Sequence, residues 1–599
     1  MKLNFILFLL IISTSILAQT ATAPALGDGT ENHPYQIETL ENLYWITANN
    51  DVVPTPDQQI RFASHYIQTA NINASETTAW FDSQGWLPIA ISQRSFTGSY
   101  NGAGNSIDGL VVDRSELTHV GLFGSLSDAE ISNLTLNNVH ITGASKVGAL
   151  IGAMQASLVN NCTVGAQSIV QAMQTEGQAG GIVGECNNSG IINSDSYSEV
   201  IGPNFVGGLI GYSEYSSIEN SGNYGNITGV PSGGWAFGGL VGEQLLTSIK
   251  NSFSKGEVSG DNAGAGIAGF SFYSSIGECF SEGYVSCLYG AGGILGIDVG
   301  TSIRNSSSSA QVDGHYYAGG LVGFSTFDPS SLDKLELPDK IFVPDRTMTP
   351  EYSIKTSYAS GEVSGYFYLG GLVGYLTDKA NIENCYSRGS VLGNNRTGGL
   401  VGYLYDSIVT NSYSVGYVEG EEDIGGLIGL QEDSQIINSY WDMDASMQNV
   451  SSGGEGRTTA ELTYPYAANT YLEWDFDQIW SEDSDHSIND GYPYLLQSPV
   501  SADHLISIAE ISIRNYPNPF NPQTTIEFSL HQPSLVEIRV FNTRGQFVRT
   551  LASSEFAAGE HQIVWNGRDE KDRQVASGVY LYHFQAGDDA QTKRMLFLK

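Results

Sequence analysis

A short glycine-rich motif, close to Gly-Gly-Leu-Val-Gly, returns many times through the central part of this 599-residue chain. Neighbouring copies are 27, 28, 31 or 32 residues apart, except for one interval of 51 residues. A fixed period near 27 residues is typical of a solenoid, in which each repeat forms one coil and stacks on the next. The last glycine of the motif falls at Gly124, Gly152, Gly184, Gly211, Gly242, Gly269, Gly296, Gly323, Gly374, Gly402 and Gly429.

Each period continues with Ile-x-Asn-Ser or Ile-x-Asn-Cys and then with Gly-x-Val. Short β-branched runs between turn residues favour short strands. We expect glycine to supply positive φ at the corners and to let neighbouring backbones approach closely. A coil of this length suits a right-handed parallel β-helix, whose coils are about 4.8 Å apart. The 70 glycines and the missing 3.6-residue periodicity argue against a helical array, and a propeller blade needs about 40 residues or more.

The asparagine of the second motif forms a regular polar row. Amide side chains at the corners of neighbouring coils can hydrogen bond to one another and to backbone groups that the strands leave unpaired. We interpret the row as a structural ladder, with a ligand-binding row as the alternative. Glu278 and Thr356 interrupt it. The row comprises Asn133, Asn161, Asn193, Asn220, Asn251, Asn305, Asn384, Asn411 and Asn438.

The charge of the chain limits its partners. There are 26 Lys and Arg against 64 Asp and Glu, a net charge of −38. Binding to phosphate needs a cationic face, so nucleic acid and anionic membrane surfaces are disfavoured. The five cysteines show no zinc-binding spacing, and we predict no metal and no cofactor. The acidic clusters Glu419–Asp423 and Asp442–Asp444 offer oxygen ligands for Ca²⁺ but match no known calcium loop.

The N-terminus predicts export. A lysine near the start is followed by a short apolar run and by small residues up to Ala18. This pattern is typical of a secretory signal peptide cleaved between Ala18 and Gln19, and its apolar part is shorter than the ~20 residues of a membrane span. No later segment reaches that length.

The predicted domain order follows from these patterns. Residues 1–18 are the signal peptide, 19–59 an N-terminal segment with a capping helix, and 60–445 the β-helix with an insertion at 325–353. Residues 446–502 form a C-terminal cap and linker, and 503–599 a separate domain. One face of the capping helix is predicted to be lined by Ile37, Leu40, Leu43, Tyr44 and Ile46.

Residues 503–599 are nearly neutral and consist of alternating strands separated by turns, which predicts an antiparallel sandwich. Four of its segments are YPNPFNP, VFNTRGQFVRTL, ASGVYLYHF and the terminal KRMLFLK. They resemble the type A sorting domain of the bacterial type IX secretion system. That resemblance implies an immunoglobulin-like sandwich that directs passage across the outer membrane, with the secretion machinery as partner. The alternative is a purely structural sandwich similar to the flagellar hook-cap module. The residues that carry the resemblance include Tyr516, Pro517, Asn518, Pro519, Phe520, Asn521, Pro522, Gly578, Tyr580, Lys593 and Lys599.

The repeats themselves resemble the GLUG family, named for its Gly-Leu-hydrophobic-Gly core. The resemblance covers about Asn101–Trp441, with related opening and closing segments on either side. Members of that family occur in surface proteins and in some proteins that also carry a peptidase domain. The resemblance is specific for architecture and says little about chemistry, because the repeated residues form the scaffold.

Linear motifs for hydrolysis are missing from the sequence. It contains no H-E-x-x-H, no G-x-S-x-G and no phosphate-binding loop, so we predict a protein that is not an enzyme. A solenoid can still bring carboxylates together from different coils, as a polysaccharide hydrolase or lyase requires. Residues available for such a site are Glu257, Asp261, Asp313 and His315, and we interpret each as a solvated turn residue.

Two features suggest a binding surface. The insertion at 325–353 carries Lys334, Lys340 and Arg346 in an array that is otherwise poor in basic residues, and solenoid insertions tend to project from one face; a tolerated surface loop is the alternative. The second feature is a tyrosine excess in two repeat positions. Exposed aromatic rows can stack on sugars, although buried ladders are the commoner structure. The two rows comprise Tyr212, Tyr375 and Tyr403, and Tyr358, Tyr386, Tyr413 and Tyr440.

We therefore expect an exported bacterial surface protein, adhesin-like, with an extracellular glycan or protein ligand. The expectation rests mainly on the two resemblances and not on a recognised site. A glycan-degrading β-helix enzyme and an inert surface-layer spacer are the alternatives. A cleft with carboxyls about 5–10 Å apart would favour the enzyme, whereas a smooth rod with polar ladders would favour binding.

Overall fold

The computed structural model describes residues 19–91, 94–230, 234–334, 353–496, 513–516, 520, 522–530, 534–542, 547–556, 559–586 and 589–597. The chain divides into two compact units, Met1–Pro499 and Val500–Lys599.

The first unit is a parallel β-solenoid. A representative coil contains the strands Val241–Leu245, Ser248–Lys250, Phe253–Ser254 and Val258–Ser259. The next coil repeats this order, and every strand pairs in parallel with its counterpart one coil later: Val241 with Ala268, Ile249 with Ile276, Phe253 with Phe280 and Val258 with Val285. The predicted all-β parallel solenoid is therefore confirmed.

Four parallel sheets run along the solenoid, and we number them in the order in which the strands of one coil follow each other. Sheet I has 11 strands, from Phe123–Ser127 to Ile428–Glu432. Sheet II and sheet III have 14 strands each. Sheet II runs from Tyr35–Ile37 to Gln435–Ile437, and sheet III from Ile72–Asn73 to Glu455–Arg457. Sheet IV runs from Val111–Val120 to Glu422–Gly425. Fourteen strands at about 4.8 Å span about 60 Å.

Branched aliphatic side chains fill the interior. Val241, Ile249 and Val258 each expose no more than 1% of their surface, and the corresponding positions of neighbouring coils are equally buried. Since a single coil has an open face above and below, this burial exists only in the stack. The coils therefore stabilise one another through a continuous core.

For the glycines of the repeated motif, the sequence analysis predicted two roles, positive φ and close approach of backbones, and the structure supports only the second. None of the eleven has positive φ, so that expectation is wrong for them. A Cβ added to Gly152 would lie 2.4 Å from the backbone of His119, and one added to Gly402 would lie 2.7 Å from the backbone of Arg396. Close approach of two chain segments therefore requires glycine here. The left-handed corners are mostly formed by other residues, for example Asn251 and Leu246.

Short helices and loops cover the N-terminal end. Helix Leu40–Thr47 begins with a capping box between Thr39 and Asn42, and helix Gln58–Phe62 and the 3₁₀ helix Ser75–Ala79 follow. The predicted face residues are buried, but Ile37 lies in strand Tyr35–Ile37 and not in the helix. Asn42, Trp45 and Thr47 are buried as well. Of the helix residues, only Glu41 is partly exposed.

The C-terminal segment of the first unit, residues 440–496, contains little regular structure. Its helices are Met443–Ser446 and Thr459–Leu462, and strands Trp480–Ser481 and Tyr494–Leu495 form an antiparallel pair. Side chains of this segment pack on tyrosines of sheet III. It therefore covers the outward side of the last coils.

The second unit contains two antiparallel sheets. One has the strands Ile513–Tyr516, Thr524–Leu530 and Gly559–Trp565. Phe528 of this sheet contacts Phe584 of the other at 5.2 Å, so the two sheets pack face to face as a sandwich. The second sheet consists of the strands Phe547–Phe556, Ser534–Asn542, Gly578–Ala586 and Asp589–Phe597, in that order.

Within the described ranges, no helix combines the length and the apolar character that crossing a bilayer demands.

Candidate binding surfaces

The asparagine row lies at the corner between sheets II and III. All nine members have left-handed φ, between 46° and 55°. Asparagine tolerates this conformation better than most residues, because its short amide hydrogen bonds locally. Glu278 and Thr356 adopt the same conformation at φ of 56° and 46°. The row is thus dictated by backbone geometry, a cause that sequence analysis did not recognise.

Side-chain hydrogen bonds connect part of the row. The Asn161 Nδ2 donates to Asn133 Oδ1 at 2.7 Å, and the Asn251 Nδ2 donates to Asn220 Oδ1 at 2.6 Å. Asn220 in turn donates to Asn193 Oδ1 at 3.3 Å. These amides hydrogen bond to one another from coil to coil, as a structural ladder does.

Beyond Glu278 the row has other partners. The Trp480 indole N–H donates to Asn384 Oδ1 at 3.1 Å, and the Asn438 Nδ2 donates to Glu473 Oε2 at 3.4 Å. Both partners belong to the C-terminal segment. Thr356 Oγ1 donates to Asn305 Oδ1 at 2.5 Å, whereas Asn411 Oδ1 is buried with no hydrogen-bond donor among the described residues.

The first part of the insertion packs against sheet I of the solenoid. The 3₁₀ helix Pro329–Lys334 places Leu332, 5% exposed, in a cluster with Phe272 and Val299 of sheet I. Ser331 Oγ donates to Asp378 Oδ2 at 2.5 Å. Lys340, Arg346 and the side chain of Lys334 lie outside the described residues, so the proposed basic loop stays a prediction.

The residues of the sorting motif are described only in part. Phe520 is buried in the core of the second unit and contacts Trp565 at 5.4 Å. The Tyr580 hydroxyl donates to the Ala576 carbonyl at 2.8 Å, Gly578 begins the same strand, and Lys593 and Pro522 are exposed. Tyr516 ends a strand. At the other end of the chain, Gln19 is the first described residue. Residues outside the described ranges are Ala18, Pro517, Asn518, Pro519, Asn521 and Lys599.

One tyrosine row is a covered ladder. Tyr358, Tyr386 and Tyr413 stack at centroid distances of 4.8 and 5.0 Å, with ring planes within 6°. The Tyr413 hydroxyl donates to the Pro493 carbonyl at 2.7 Å and accepts from Asn489 Nδ2 at 2.7 Å. Burial raises the pKa of Tyr413 far above its ordinary value. The C-terminal segment therefore removes Tyr386 and Tyr413 from contact with a ligand.

The other predicted row is also largely enclosed. Tyr375 and Tyr403 contact each other at 4.8 Å. The Arg396 guanidinium lies over Tyr368 and Tyr403, at 4.9 and 5.0 Å from their ring centroids. Desolvation raises the pKa of Tyr375 to about 12. Cation–π contacts of this kind stabilise the surface of the solenoid.

A more exposed aromatic surface lies on sheet IV, where sequence analysis identified none. In most coils this strand is broken in two, as in Val258–Ser259 and Asn262–Ala265. Five coils instead have continuous strands: the first two, Val111–Val120 and His140–Gly148, and three consecutive later ones, Tyr284–Gly292, Gln311–Gly319 and Val363–Gly370.

The aromatic residues lie on the three later strands. These strands place neighbouring side chains together in what we term the aromatic patch: Leu288, Tyr289, His315, Tyr316, Tyr366 and Phe367.

The rings of the aromatic patch form two parallel stacks. Tyr289, Tyr316 and Phe367 stack at 5.1 and 5.3 Å with ring planes within 7°. His315 and Tyr366 stack beside them at 5.3 Å and 5°. Each ring of the second stack meets its neighbour in the first edge-on, at 4.6 Å. These contacts hold the rings in a fixed arrangement.

Residues that the sequence named for possible chemistry lie around this patch. Asp313 Oδ2 accepts from the Tyr284 hydroxyl and its Oδ1 from Ser364 Oγ, both at 3.2 Å. The Asp261 carbonyl accepts from the Leu288 N–H at 2.9 Å, which places Asp261 one coil before Leu288. Glu257 directly precedes strand Val258–Ser259. The structure thus brings these scattered residues to one face of the solenoid.

One carboxylate elsewhere has a strongly altered pKa. Glu243, on sheet I between Tyr212 and Phe270, receives no hydrogen bond from any described residue. Desolvation raises its pKa to about 8. A raised carboxyl pKa is a property of general acids, but it is equally expected for an enclosed acid on a structural surface.

A shallow polar groove of about 660 Å³ follows the corner between sheets I and II near the N-terminal end. Its lining includes Glu31, His65, Asp128 and Glu130, and His65 Nδ1 lies 2.8 Å from Ser99 Oγ. No phenylalanine, tyrosine or tryptophan is among its lining residues.

Metal and redox chemistry find no clear support in the described parts of the chain. No group of three or more His, Cys, Asp or Glu side chains there has a metal-binding arrangement. In the cluster Asp442–Asp444, Asp442 is occupied as the N-cap of helix Met443–Ser446 and accepts from the Tyr492 hydroxyl at 2.6 Å. All five cysteines are free and buried, and desolvation raises the pKa of each thiol to about 12. The absence of a cofactor stays a prediction.

Comparison with known families matches two segments of the chain. Residues 365–392 match the GLUG motif, and residues 520–589 match the FlgD Ig-like domain. The chain is therefore a β-solenoid that carries a GLUG motif, with a C-terminal Ig-like domain.

Two curated proteins are similar over part of the chain. Halomucin of Haloquadratum walsbyi is 34% identical over 185 residues, which are 29% of this chain and 2% of halomucin. A Gly-rich protein of Evansella cellulosilytica, named as a membrane protein, is 28% identical over 144 residues, 23% of this chain and 15% of that protein. The chain thus spans only a small share of each relative's length. The similarities are those of a surface-protein-like solenoid.

Two solved structures show only weak likeness. PorZ, a surface component of the type IX secretion system of Porphyromonas gingivalis, is 21% identical over 18% of this chain and 14% of its own, with a TM-score of 0.13. An IgA1 protease is 14% identical over 71% of this chain and 23% of its own, with a TM-score of 0.19. Scores this low carry no argument about fold or function.

Proposed function

We propose that this chain is an exported bacterial surface protein whose solenoid presents a binding surface, adhesin-like and without a catalytic step. In this proposal the N-terminal signal peptide leads to export, and the C-terminal domain directs passage across the outer membrane through the type IX secretion machinery. The observation that carries the proposal is the joining of a rigid repetitive solenoid to a separate Ig-like unit at 500–599.

Export is supported by both ends of the sequence. The first 18 residues have the order of a signal peptide. The second unit matches the FlgD Ig-like family, and its Phe520, Gly578 and Tyr580 occupy positions of the sorting-domain pattern. The names of the similar proteins, halomucin and a membrane protein, agree with a location at the cell surface.

A binding role is supported by the surface of the solenoid. Part of its asparagine row is hydrogen bonded from coil to coil, whereas the aromatic patch leaves large apolar side chains exposed, such as Leu288 at 51% and Tyr366 at 43%. Clusters of exposed apolar side chains mark interaction sites more often than isolated ones do. An inert spacer would have no use for such a surface.

The test is to produce the full chain, and a version that ends at 502, in a bacterium that has a type IX secretion system. The proposal expects the full chain at the cell surface, digested by protease added to intact cells, and the shortened chain retained in the periplasm. A Leu535→Ala variant, which shortens a side chain that is 62% exposed and lies outside the sorting-pattern segments, serves as a folded control. Equal surface exposure of both versions would contradict the role of the C-terminal domain.

The absence of a catalytic step has its own measurement. Purified full chain is incubated with polysaccharides, and the release of reducing ends is followed over hours. The proposal expects no release above a heat-treated sample. Release that disappears in an Asp313→Asn variant would favour the glycan-degrading enzyme instead.

A further inference from the structure

The aromatic patch combines apolar rings with hydrogen-bonding groups on one outward face. The Tyr284 hydroxyl, the Asp313 carboxylate and the Ser364 hydroxyl form a row across the same three strands as the rings. Each carboxylate oxygen of Asp313 accepts one long hydrogen bond, of 3.2 Å. Because a carboxylate oxygen has two lone-pair sites, each retains one for a donor from outside.

The surface is preorganised. Parallel strand pairing fixes Tyr289, Tyr316 and Phe367 in register, and stacking within 7° fixes their ring planes. The first and third strands are about 10 Å apart at ordinary strand spacing. A ligand that lies along the solenoid axis therefore meets a rigid row and loses little free energy in ordering it.

The negative charge of the protein limits the classes of ligand that the aromatic patch can bind. The aromatic patch contains no lysine or arginine, and the whole chain carries a net charge of −38. Arg396, in the following coil, is engaged by the rings of Tyr368 and Tyr403 and by Asp423 at 3.8 Å. An anionic polymer would thus meet an acidic protein with no unengaged lysine or arginine among the described residues of the patch, which opposes binding.

A ligand suited to these features has apolar faces, many hydroxyl donors and no negative charge. We propose that the aromatic patch binds a neutral polysaccharide. In this proposal Tyr366 and His315 contact sugar rings, and the Asp313 carboxylate accepts hydrogen bonds from sugar hydroxyls. This inference rests on the binding role proposed above and names its ligand class. Aromatic faces and edges supply apolar contact while a polar group fixes orientation, the combination expected of a small-molecule or glycan site.

The experiment measures binding of the purified chain, residues 19–599, to soluble polysaccharides by isothermal titration and by retardation in native gels. The neutral probes are a mixed-linkage β-glucan, a xylan and a galactomannan, and polygalacturonate is the anionic counterpart. We expect at least one neutral probe to bind and polygalacturonate to bind more weakly or not at all. Failure of all three neutral probes to bind overturns the proposal.

Two variants locate the site. Tyr366→Ala removes an exposed ring and is expected to weaken binding of the neutral probe about tenfold; His315→Ala is expected to act in the same direction. The matched control is Tyr417→Ala, because Tyr417 lies beside sheet IV, outside the patch, and is 41% exposed against 43% for Tyr366. Thermal melting shows whether both variants remain folded. If they do, equal affinity of the Tyr366→Ala and Tyr417→Ala proteins for the neutral probe overturns the proposal.

The outcome is separable from that of the proposed function. A chain that reaches the cell surface but binds no neutral polysaccharide refutes the glycan inference alone. A chain that binds the β-glucan through Tyr366 but stays in the periplasm refutes the export route alone. Release of reducing ends with intact binding refutes only the non-catalytic role.

Discussion

Two aromatic faces of the solenoid are built in the same way and end up with opposite exposure. On sheet III, Tyr386 and Tyr413 stack at 5.0 Å beneath the C-terminal segment and are at most 4% exposed. On sheet IV, His315 and Tyr366 stack at 5.3 Å, and Tyr366 is 43% exposed. Stacking between coils therefore does not decide whether a ring is core or surface. Coverage by a distant part of the chain decides it.

The covered face is completed by polar contacts with the C-terminal segment. The Tyr413 hydroxyl and the Asn489 amide share hydrogen bonds with the Pro493 carbonyl, and Arg388 pairs with Asp490. Buried polar groups of this kind are costly unless every one is satisfied. The covered face is thus committed to stability, while the exposed face is free to serve recognition.

The largest expected effect is at the centre of the covered face. Tyr413→Ala should lower the free energy of unfolding by about 3–5 kcal/mol, because it removes a fully buried ring and leaves a cavity. Urea unfolding measures the loss, and hydrogen exchange should show faster exchange in residues 459–495. Tyr413→Phe keeps the ring and should cost about 1–3 kcal/mol, since the Asn489 amide loses an acceptor. Unchanged exchange in Tyr413→Ala would mean that the segment does not depend on this face.

The stability of the protein should depend on pH through Glu243, an enclosed carboxyl on sheet I with no hydrogen-bond donor among the described residues. Desolvation raises the pKa of Glu243 from 4.5 to about 8, so the folded protein holds a proton that the unfolded chain releases. Stability is therefore lost as pH rises from about 4.5 through about 8. Glu243→Gln should match the natural protein near pH 4 and exceed it at pH 9 by up to about 4 kcal/mol. Melting curves across this range measure it, and a constant difference at every pH would contradict the assignment.

A smaller effect on stability is expected at Thr356, where threonine takes the place of an asparagine in the row. Thr356 is β-branched and has φ of 46°, a conformation that costs about 1–2 kcal/mol for most residues. Thr356→Asn should therefore raise the free energy of unfolding by about 1 kcal/mol. The reverse change, Asn384→Thr, should lower it. If both variants unfold at the same urea concentration as the natural protein, left-handed geometry does not explain the row.

The smallest effect is expected on the exposed face. Tyr366→Ala should change the free energy of unfolding by less than about 1 kcal/mol, because the ring is largely in solvent. Urea unfolding beside Tyr413→Ala makes the contrast direct. A loss as large as that of Tyr413→Ala would show that the exposed stack is also a structural ladder.

The repeat made the solenoid predictable, because its motifs recur at one interval and each has a local physical cause. Ile249, Ile276 and Ile303 could be assigned to the core from sequence alone, and they lie in register. The sequence analysis assigned positive φ to the glycines of the motif, but the asparagines adopt it at the corners. The glycines are required instead because a Cβ would clash with nearby backbone.

The candidate site was harder to predict, because it depends on contacts between distant segments. Tyr386 and Tyr366 each stack on a ring of the preceding coil, yet of the two only Tyr386 meets Trp480, at 6.1 Å and from a segment about ninety residues later. The sequence does contain one usable signal, the run of Tyr, His and Phe in three successive periods at 289, 315–316 and 366–367. Its exposure could be known only from the fold.

The 51-residue interval has an evolutionary consequence. Ile303 still pairs with Ile354 and Ser307 with Tyr358, so the coils on both sides of the insertion keep the register of uninterrupted neighbours. Lengthening a loop adds little to its closure cost, which grows only logarithmically. Such a corner lets a lineage acquire and discard new sequence without redesigning the rod, and the same tolerance makes it a practical place to graft a foreign epitope.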